Sequence, residues 1–342
     1  MPSNTPARRH LVTGATGLIG RHVAVRLVKS GARVRALVRR PEAAVGLARL
    51  GVEVVEGDIL DRESLPRVMA GVDVLVHAAA LAGEWGPRHA FEQANVRGMS
   101  NVLEAAGDAH VGRVVYLSSA AVYGYPTGRL DENAPFQVTG NPYCDTKIEA
   151  EKLLWEHHRS GRLPASALRP VVVYGPHDWK FVFKVAEALH GRGLPLVGGG
   201  QHRAQIVSVH DVVDLILLCA TRPEALGEAF NCAGEEWLTW RQLFSEIARR
   251  VEAKPPSFSV PFRVAYGLGA ALEMTYRLAG VSHAPLVTRF GATIVGVPFE
   301  CDTSKAQRLL GYVAKRTVAE MMPEALEWWR RERSRMACVA VG

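Results

Sequence analysis

The sequence predicts an α/β protein with a doubly wound parallel sheet and a smaller, mostly helical C-terminal region that binds substrate. Two observations favour this class. Short apolar strands alternate with amphipathic helices through the first half of the chain, and a glycine-rich turn joins the first strand to the first helix. Strands that alternate with helices form parallel sheets, because each crossover lays a helix on one face of the sheet.

The individual elements follow from hydrophobic periodicity, taken in chain order. Apolar runs predict strands over residues 10–13, 33–38, 52–56, 73–78, 113–118 and 165–173. Helical spacing predicts helices over residues 18–30, 42–50, 61–70, 90–107 and 143–160. The pattern then becomes less regular. We expect a helix and a glycine-rich turn in 178–204, a strand, helix and strand in 205–232, a helical cap over 237–300 and final helices in 302–335.

The turn after the first strand carries three evenly spaced glycines in the run LVTGATGLIG. Gly14 permits the tight turn, Gly17 lets backbone N–H groups approach a pyrophosphate, and Gly20 allows close packing of helix against strand. The N-terminus of the following helix also attracts phosphate. The combination predicts a Rossmann-type domain that binds a dinucleotide.

No linker rich in proline and glycine separates the halves of the chain, so the two functional regions are expected to interleave. The dinucleotide-binding domain is predicted over residues 1–176, and 205–233 should return to it. The substrate-binding region is predicted to comprise 177–204 and 234–342.

The ends of the next two strands indicate which dinucleotide to expect. The second strand ends in Val38, Arg39 and Arg40, and no carboxylate follows before Glu42. A guanidinium can hold a ribose 2′-phosphate, whereas an acidic residue here would bind the free ribose hydroxyls. Arg39 therefore favours NADP(H), with NAD(H) left open and solvated arginines as the alternative. Asp58, at the end of the third strand, is expected to meet the adenine.

Ser119, Tyr143 and Lys147 are the residues that point to chemistry. Tyr143 and Lys147 are four residues apart, so a helix places them on one face. A neighbouring cation lowers a phenol pKa. Moving it from about 10 to ~7 requires about 4 kcal/mol, more than a lysine alone supplies. The positive charge of an oxidised nicotinamide would help, and Ser119 would orient a substrate oxygen.

Six motifs in order resemble those of the extended short-chain dehydrogenases/reductases, a group that also includes nucleotide-sugar epimerases and dehydratases. They are GATGLIG, HAAA, QANVRGMSNVLEAA, SSAAVYG, PYCDTK and LRPVVVYGP, and the resemblance covers roughly residues 9–330. It implies that Tyr143 is the catalytic acid/base, Lys147 its activator and ribose binder, and Ser119 the hydroxyl partner. Asn95 would complete the catalytic set or hold the cofactor.

The resemblance also implies which residues contact the cofactor and the substrate. Expected cofactor contacts are Gly14, Thr16, Gly17, Leu18, Ile19, Gly20, Arg39, Asp58, Ile59, His77, Ala78, Ala79, Tyr143, Lys147, Pro170 and Val173. Expected substrate contacts are Trp85, Ser119, Tyr174 and His177. A lone histidine in an apolar strand, such as His77, is more typical of a hydrogen-bonded core residue than of a catalytic one.

Three further passages resemble the branch of 3β-hydroxysteroid dehydrogenases and bacterial 2-alkyl-3-oxoalkanoate reductases: LAGEWGPRHAFEQANVRG, PLVTRFGA and PFECDTSKAQRLLGY. Nucleotide-sugar enzymes commonly carry an arginine where this chain has Ala204, and Arg203 is one residue away. The expected substrate is therefore a hydrophobic alcohol or ketone, either 3β-hydroxysteroid-like or a β-oxo acyl chain. A nucleotide-sugar epimerase or dehydratase, and a cofactor-binding sensor without turnover, are the alternatives.

The composition of the chain limits which ligands and partners are expected. The net charge of +7, from 41 basic and 34 acidic residues, suits anionic cofactors, and no nucleic-acid-binding module is recognisable. Five scattered cysteines without a zinc-like spacing favour a reducing compartment and no metal site. With no apolar segment before the first strand, we expect a cytoplasmic protein. A homodimer is left open.

Residues 258–280, FSVPFRVAYGLGAALEMTYRLAG, are apolar but interrupted by Arg263, Glu273 and Arg277. These charges argue against a membrane-spanning helix. A lid helix over an apolar substrate is the preferred interpretation. The alternative is an amphipathic helix that touches a membrane surface.

Overall fold

The computed structural model describes residues 8–191 and 193–341. Its centre is a seven-stranded sheet in the order β11-β7-β5-β4-β1-β2-β3, and every pairing is parallel. The strands are β1 Arg9–Thr13, β2 Arg33–Val38, β3 Glu53–Glu56, β4 Val74–His77, β5 Arg113–Leu117, β7 Ala165–Pro170 and β11 Ala229–Cys232. The strand order reverses between β1 and β4, where the carboxyl ends of doubly wound sheets bind ligands. The predicted fold class is confirmed.

Helices cover both faces of this sheet. They are α1 Leu18–Lys29, α2 Val45–Ala48, α3 Leu65–Met69, α4 Arg88–Phe91, α5 Gly98–Asp108, α6 Pro142–Arg159 and α8 Val209–Thr221, whereas α7 Val182–His190 packs away from the sheet in a third core. One apolar core lies between the sheet and α1 and α8, and a second lies between the sheet and α3, α5 and α6. Apart from the edge strand β3, whose residues are exposed or half-buried, the strands are buried on both sides, which explains their continuous apolar runs.

The rest of the chain forms three short sheets and a helical cap. The additional strands are β6 Gly128–Leu130, β8 Val172–Tyr174, β9 Leu196–Val197, β10 Ile206–Ser208, β12 Ser259–Val260 and β13 Phe299–Cys301, paired β10-β8, β12-β9 and β13-β6. The helices are α9 Trp240–Arg250, α10 Phe262–Leu278, α11 Arg289–Gly296, α12 Ser304–Leu310 and α13 Val318–Val341. A third apolar core joins α7, α9 and α13. None of the described helices combines the length and apolar composition that a membrane crossing requires.

Several predicted elements differ from the structure. The strand predicted over 165–173 is interrupted after Pro170, and Val172–Tyr174 pairs with β10 in a separate sheet. The pairing partner changes here, because Val171 N–H donates to Cys232 O while Val172 N–H donates to Gln205 O. The helix predicted over 61–70 is limited to Leu65–Met69.

The helix predicted over 90–107 is an unbroken helical stretch, but it is not α-helical throughout. Its segment Glu92–Arg97 is π-helical, between the α-helical turns of α4 and α5. Such a widened turn shifts the direction of the side chains that it carries, and it often occurs near functional sites. Asn95 lies within it and is buried.

Candidate active site

The carboxyl ends of the central strands open into a cavity of about 730 Å³. One wall is formed by the glycine-rich turn and the start of α1, another by the ends of β5 and β7 with α6, and the roof by residues 286–295. This volume lies within the range of roughly 300–1,000 Å³ found for ligand and cofactor sites.

The glycine-rich turn is shaped by backbone packing as well as by its ligand. Gly14 has φ +67°, and a Cβ there would lie 2.7 Å from the carbonyl carbon of Ala78. Gly17 precedes α1, whose first turn has no side-chain cap, so its N–H groups remain available at the cavity. An uncapped helix N-terminus behind a glycine turn fits the pyrophosphate of a dinucleotide.

Tyr143 is placed by the cap at the start of α6. The side chain of Asn141 accepts hydrogen bonds from the backbone N–H groups of Tyr143 at 2.9 Å and Cys144 at 3.4 Å, which fixes the first turn of the helix. The Tyr143 ring faces Phe290 edge-on, with 6.5 Å between the ring centroids. Burial raises the pKa of the Tyr143 phenol, and a hydrogen bond with Ser119 acts in the opposite direction.

Lys147 lies one turn further along α6 and is buried. Its ammonium donates to the backbone oxygen of Leu117 and lies 4.3 Å from the centroid of the Tyr116 ring. Burial lowers the pKa of Lys147 to about 7, while Glu151 acts to raise it. In this structure the Lys147 ammonium is directed to Leu117, and burial dominates the pKa of the Tyr143 phenol. That Lys147 and an oxidised nicotinamide together lower the Tyr143 pKa stays a prediction.

A buried ion pair between Glu151 and Arg169 lies behind Lys147 and was not predicted from the sequence. Glu151 is fully buried and receives hydrogen bonds from Arg169, with Nη2 to Oε1 at 2.6 Å and Nε to Oε1 at 3.0 Å. Ser118 Oγ also donates to this carboxylate. Arg169 continues the network through a 2.8 Å hydrogen bond to the Tyr123 hydroxyl. The available signal was the four-residue spacing from Lys147 to Glu151, which repeats the spacing from Tyr143 to Lys147.

Thirteen of the predicted site residues line the cavity. They are Gly14, Thr16, Gly17, Leu18, Ile19, Gly20, Ala78, Ser119, Tyr143, Lys147, Pro170, Val173 and His177. They come from six separate segments of the chain, which the parallel sheet brings to one edge. The predicted catalytic hydroxyls and the glycine turn therefore face the same space.

Three residues expected to contact cofactor or complete catalysis instead support the wall of the site. His77 is buried and hydrogen-bonded through Nδ1 to Thr13 Oγ1 at 2.8 Å, and burial lowers its pKa to about 3. Ala79 donates its backbone N–H to the same Thr13 oxygen at 3.2 Å. Asn95 accepts from Leu81 N–H at 2.7 Å and donates to its carbonyl, so it holds the loop after β4.

The residues predicted for the adenosine half lie at the ends of β2 and β3, outside the cavity lining. Arg39 is exposed directly after β2. The Asp58 carboxylate accepts the Leu60 N–H at 3.0 Å and so stabilises the turn after β3. The carbonyl of Ile59 accepts from the Asn101 amide at 3.0 Å.

Two predicted substrate contacts lie elsewhere. Tyr174 is buried in the third core, and its hydroxyl donates to Thr317 O at 3.4 Å, so its side chain packs away from the cavity. Trp85 donates its indole N–H to Val281 O at 3.2 Å and packs edge-on against Tyr276. It therefore ties the loop after β4 to the cap and is not among the cavity residues.

Above Tyr143 the cavity is largely apolar. Its walls there include Tyr125, Trp179, Leu194, Phe290, Ile294 and Val295. The lid predicted over 258–280 is corrected by this arrangement: α10 contributes no residue to the lining, and the roof is α11 with the loop before it. Thr288 caps α11 by accepting from Gly291 N–H at 3.0 Å, which holds Phe290 over the site.

His177 joins the apolar chamber to the start of α1. It has φ +71°, a costly backbone conformation for a residue with a Cβ. Its ring centroid lies 6.2 Å from that of His22. Burial, together with the nearby charge of Arg21, lowers the pKa of His177 to about 4. Such strain often marks a functional position.

The sheet, the uncapped α1 turn and the Ser119–Tyr143–Lys147 set define an oxidoreductase that uses a nicotinamide dinucleotide. The chain belongs to the NAD dependent epimerase/dehydratase family, whose family model matches residues 10–233. It is therefore an NAD(P)-dependent enzyme, and the alternative of a sensor without turnover is not supported.

Named relatives agree with this class. The chain is 30% identical to a 2-alkyl-3-oxoalkanoate reductase of Shewanella oneidensis, covering 91% of this chain and 84% of the relative. It is 32% identical to a 4-hydroxy-2-methyl-3-oxo-4-farnesyl-3,4-dihydroquinoline-1-oxide ketoreductase of Stigmatella aurantiaca, covering 90% and 93%. A solved dTDP-glucose 4,6-dehydratase from Streptomyces venezuelae with NAD bound aligns with TM-score 0.77 and 27% identity, covering 95% and 98%.

Proposed function

We propose that the protein is an NADP(H)-dependent ketoreductase that interconverts a hydrophobic β-oxo acid and the corresponding β-hydroxy acid. The observation that carries this proposal is the apolar chamber directly above Tyr143, with aromatic and aliphatic walls from Tyr125 to Val295. Apolar walls bind through the area they remove from water, at about 25 cal/mol per Å². The names of the two reductases to which the chain is similar share a 3-oxo group beside an alkyl or farnesyl chain, and only the first of them names an acid, an oxoalkanoate.

The residues at the chamber floor suit reduction of a carbonyl. A bound NADPH supplies the hydride that adds to the carbonyl carbon. Tyr143 gives its phenolic proton to the carbonyl oxygen as that bond becomes an alcohol, and Ser119 donates a hydrogen bond to the same oxygen. Lys147 would hold the ribose of the bound cofactor, and its ammonium would favour the phenolate that Tyr143 becomes when it gives up its proton. In the oxidative direction Tyr143 accepts the proton instead.

Lys180 favours an acid over a sterol. It lines the cavity although the residue is exposed, and its pKa is lowered by partial burial and by Lys184. Lys184 has a carboxylate partner, Glu84, at 3.5 Å. The nearby Asp178 carboxylate accepts three backbone N–H groups at 2.9 Å, which engage both of its oxygens. Among the described residues, no carboxylate forms an ion pair with Lys180, so the substrate carboxylate is its proposed partner.

The preference for NADP(H) rests on Arg39 and Arg40, which are exposed at the end of β2. A 2′-phosphate on the adenosine ribose would meet these guanidinium groups at the rim of the sheet.

A nucleotide-sugar epimerase or dehydratase is the competing function, because a solved dehydratase shares the fold. Such an enzyme must bind a diphosphate with placed cations. Arg203, the nearest arginine to the expected position, donates to the carbonyls of Gly234 and Glu235 at 3.0 Å and pairs with Glu300 at 3.5 Å. Its guanidinium is therefore committed outside the cavity, which favours the ketoreductase.

The test is a substrate panel with NADPH and NADH: long-chain β-oxo acids, their methyl esters, 3-oxosteroids, and UDP- and dTDP-sugars. We expect reduction of the β-oxo acids, measured as loss of nicotinamide absorbance. Lys180→Met should raise the KM for the acid about tenfold or more, the scale of a lost charged hydrogen bond, and leave the ester unchanged. The exposed Lys152→Met is the control. Conversion of a nucleotide sugar, with no response to any apolar ketone, would refute the proposal.

A further inference from the structure

The outward face of α10 presents a continuous apolar stripe to solvent. Val264 is 57% exposed, Leu268 48%, Met274 63% and Leu278 84%. These positions follow one another at steps of four, six and four residues, so they lie along one side of the helix. We call this stripe of Val264, Leu268, Met274 and Leu278 the α10 surface. Several large apolar side chains on a single helix face mark an interaction site.

The α10 surface cannot turn inward, because the opposite face of the helix is fixed. A Cβ on buried Gly269 would lie 2.8 Å from the backbone nitrogen of Arg289, so α10 and α11 are in backbone contact. The buried Glu273 carboxylate accepts the Arg289 backbone N–H at 2.7 Å and its guanidinium Nε at 2.8 Å. The apolar stripe is therefore held outward by a close helix pair and a partly buried ion pair.

The charges around the stripe favour an anionic partner. Residues 254–298 carry four cations, Lys254, Arg263, Arg277 and Arg289, against one carboxylate, that of Glu273. Glu273 is buried and bonded to Arg289, so it presents no negative charge outside. Arg263 and Arg277 lie near the two ends of α10. An apolar helix face with arginines at both ends is typical of a helix that lies flat in a lipid interface.

A second copy of the chain fits this face less well. A twofold interface brings the same patch of both subunits together. The arginines of the two copies would then face each other, and the segment offers no exposed carboxylate to compensate them. Lipid headgroups of negative charge supply that compensation directly.

The α10 surface is also connected to the site. Leu286, in the loop between α10 and α11, is 78% exposed and lines the cavity. We propose that the α10 surface docks on an anionic lipid bilayer and sets the cavity mouth at Leu286 against it. Docking concerns the protein alone, and only the identity of what enters at Leu286 rests on the proposed function.

The test is co-sedimentation of the full chain with vesicles. We expect binding to vesicles of equal parts phosphatidylcholine and phosphatidylglycerol, weaker binding to phosphatidylcholine alone, and loss of binding at high salt. The triple variant Leu268→Glu, Met274→Glu, Leu278→Glu should lower the vesicle partition coefficient about tenfold or more, because it removes apolar contact and adds repulsion.

The matched control is Leu50→Glu, Val138→Glu, Met336→Glu, which changes three exposed apolar residues elsewhere and adds the same charge. The vesicle partition coefficient of this control should fall clearly less than that of the α10 variant. Arg263→Glu should remove the preference for phosphatidylglycerol. Three outcomes would overturn the proposal. The two triple variants could bind equally, or the wild type could fail to bind anionic vesicles. The third is a solution dimer that only the α10 variant dissociates. Turnover of a water-soluble ketone should survive in both triple variants, and its absence in the wild type would count against the proposed function alone.

Discussion

Neutralising the buried Glu151–Arg169 ion pair behind Lys147 should change both the stability of the protein and the pKa of Lys147. Glu151→Gln keeps the shape of the side chain and removes its charge, in a fully buried position that Arg169 contacts through two nitrogens. Two effects follow from this one change. The Arg169 guanidinium loses its buried counter-charge, and Lys147 loses the group that raises its pKa.

The size of the first effect follows from burial. Breaking a buried ion pair by neutralising one partner costs about 3–5 kcal/mol. The chain has 342 residues, and unfolding entropy of about 2 cal/mol/K per residue makes 1 kcal/mol worth roughly 1.4 °C. The melting temperature of Glu151→Gln should therefore fall by about 4–7 °C.

The second effect is a shift of a pH midpoint in a defined direction, which a merely structural role of Glu151 would not produce. The pKa of Lys147 is about 7 in the intact protein, and without Glu151 it should fall further. The proposed hydrogen bond from Lys147 to the cofactor ribose needs the protonated ammonium, so NADPH affinity should weaken as pH rises through that pKa. In Glu151→Gln the midpoint of this loss should move to lower pH.

Calorimetry measures the first effect, and NADPH fluorescence titration across pH 5 to 9, the window on either side of about 7, measures the second. Glu149→Gln, exposed on the same helix, is the control and should change neither quantity. A melting temperature within about 1 °C of the wild type would refute the stability argument. An unmoved pH midpoint, in a variant that is still folded, would refute the link from Glu151 to Lys147.

Three further outcomes concern single residues of the site. Tyr143→Phe should lower turnover by about 10²–10⁴-fold while NADPH affinity survives, and near-normal turnover in a stopped-flow assay would place the acid/base elsewhere. Arg39→Asp should weaken NADPH binding by about 1.5–3 kcal/mol and leave NADH binding unchanged or improved, as measured by calorimetric titration. His177→Gly should raise the KM for the ketone without lowering the melting temperature, because glycine adopts φ +71° without strain; a lower melting temperature would show that the side chain is chiefly structural.

Local sequence determined the central sheet and the reactive face of α6. Strand and helix periods identify elements one at a time, and parallel crossovers then require the strand ends to share one edge. That is why Gly14, Ser119 and Tyr143, which are far apart in the chain, could be expected together. Lys147 follows from the four-residue spacing within a single helix. No tertiary information is needed for either inference.

The direction and partners of those same side chains were decided by tertiary structure. Lys147 donates to Leu117 O because β5 ends opposite that turn of α6, and no local spacing encodes which carbonyl lies within its reach. The Glu151–Arg169 pair joins α6 to β7, eighteen residues apart in sequence, and only the packed sheet brings the two together.

In the cap, too, local sequence determined one feature and tertiary packing another. Apolar composition over 258–295 predicted a covering element, but composition does not say which face of a helix finds a neighbour. Gly269 brings α10 against α11, so α11 roofs the cavity with Phe290 and α10 keeps its apolar stripe outside. Sequence by itself determined that an apolar segment would lie over this site. Only the packing of one helix on another decided which part covers the substrate and which part faces outward, because that choice depends on backbone approach between residues twenty positions apart.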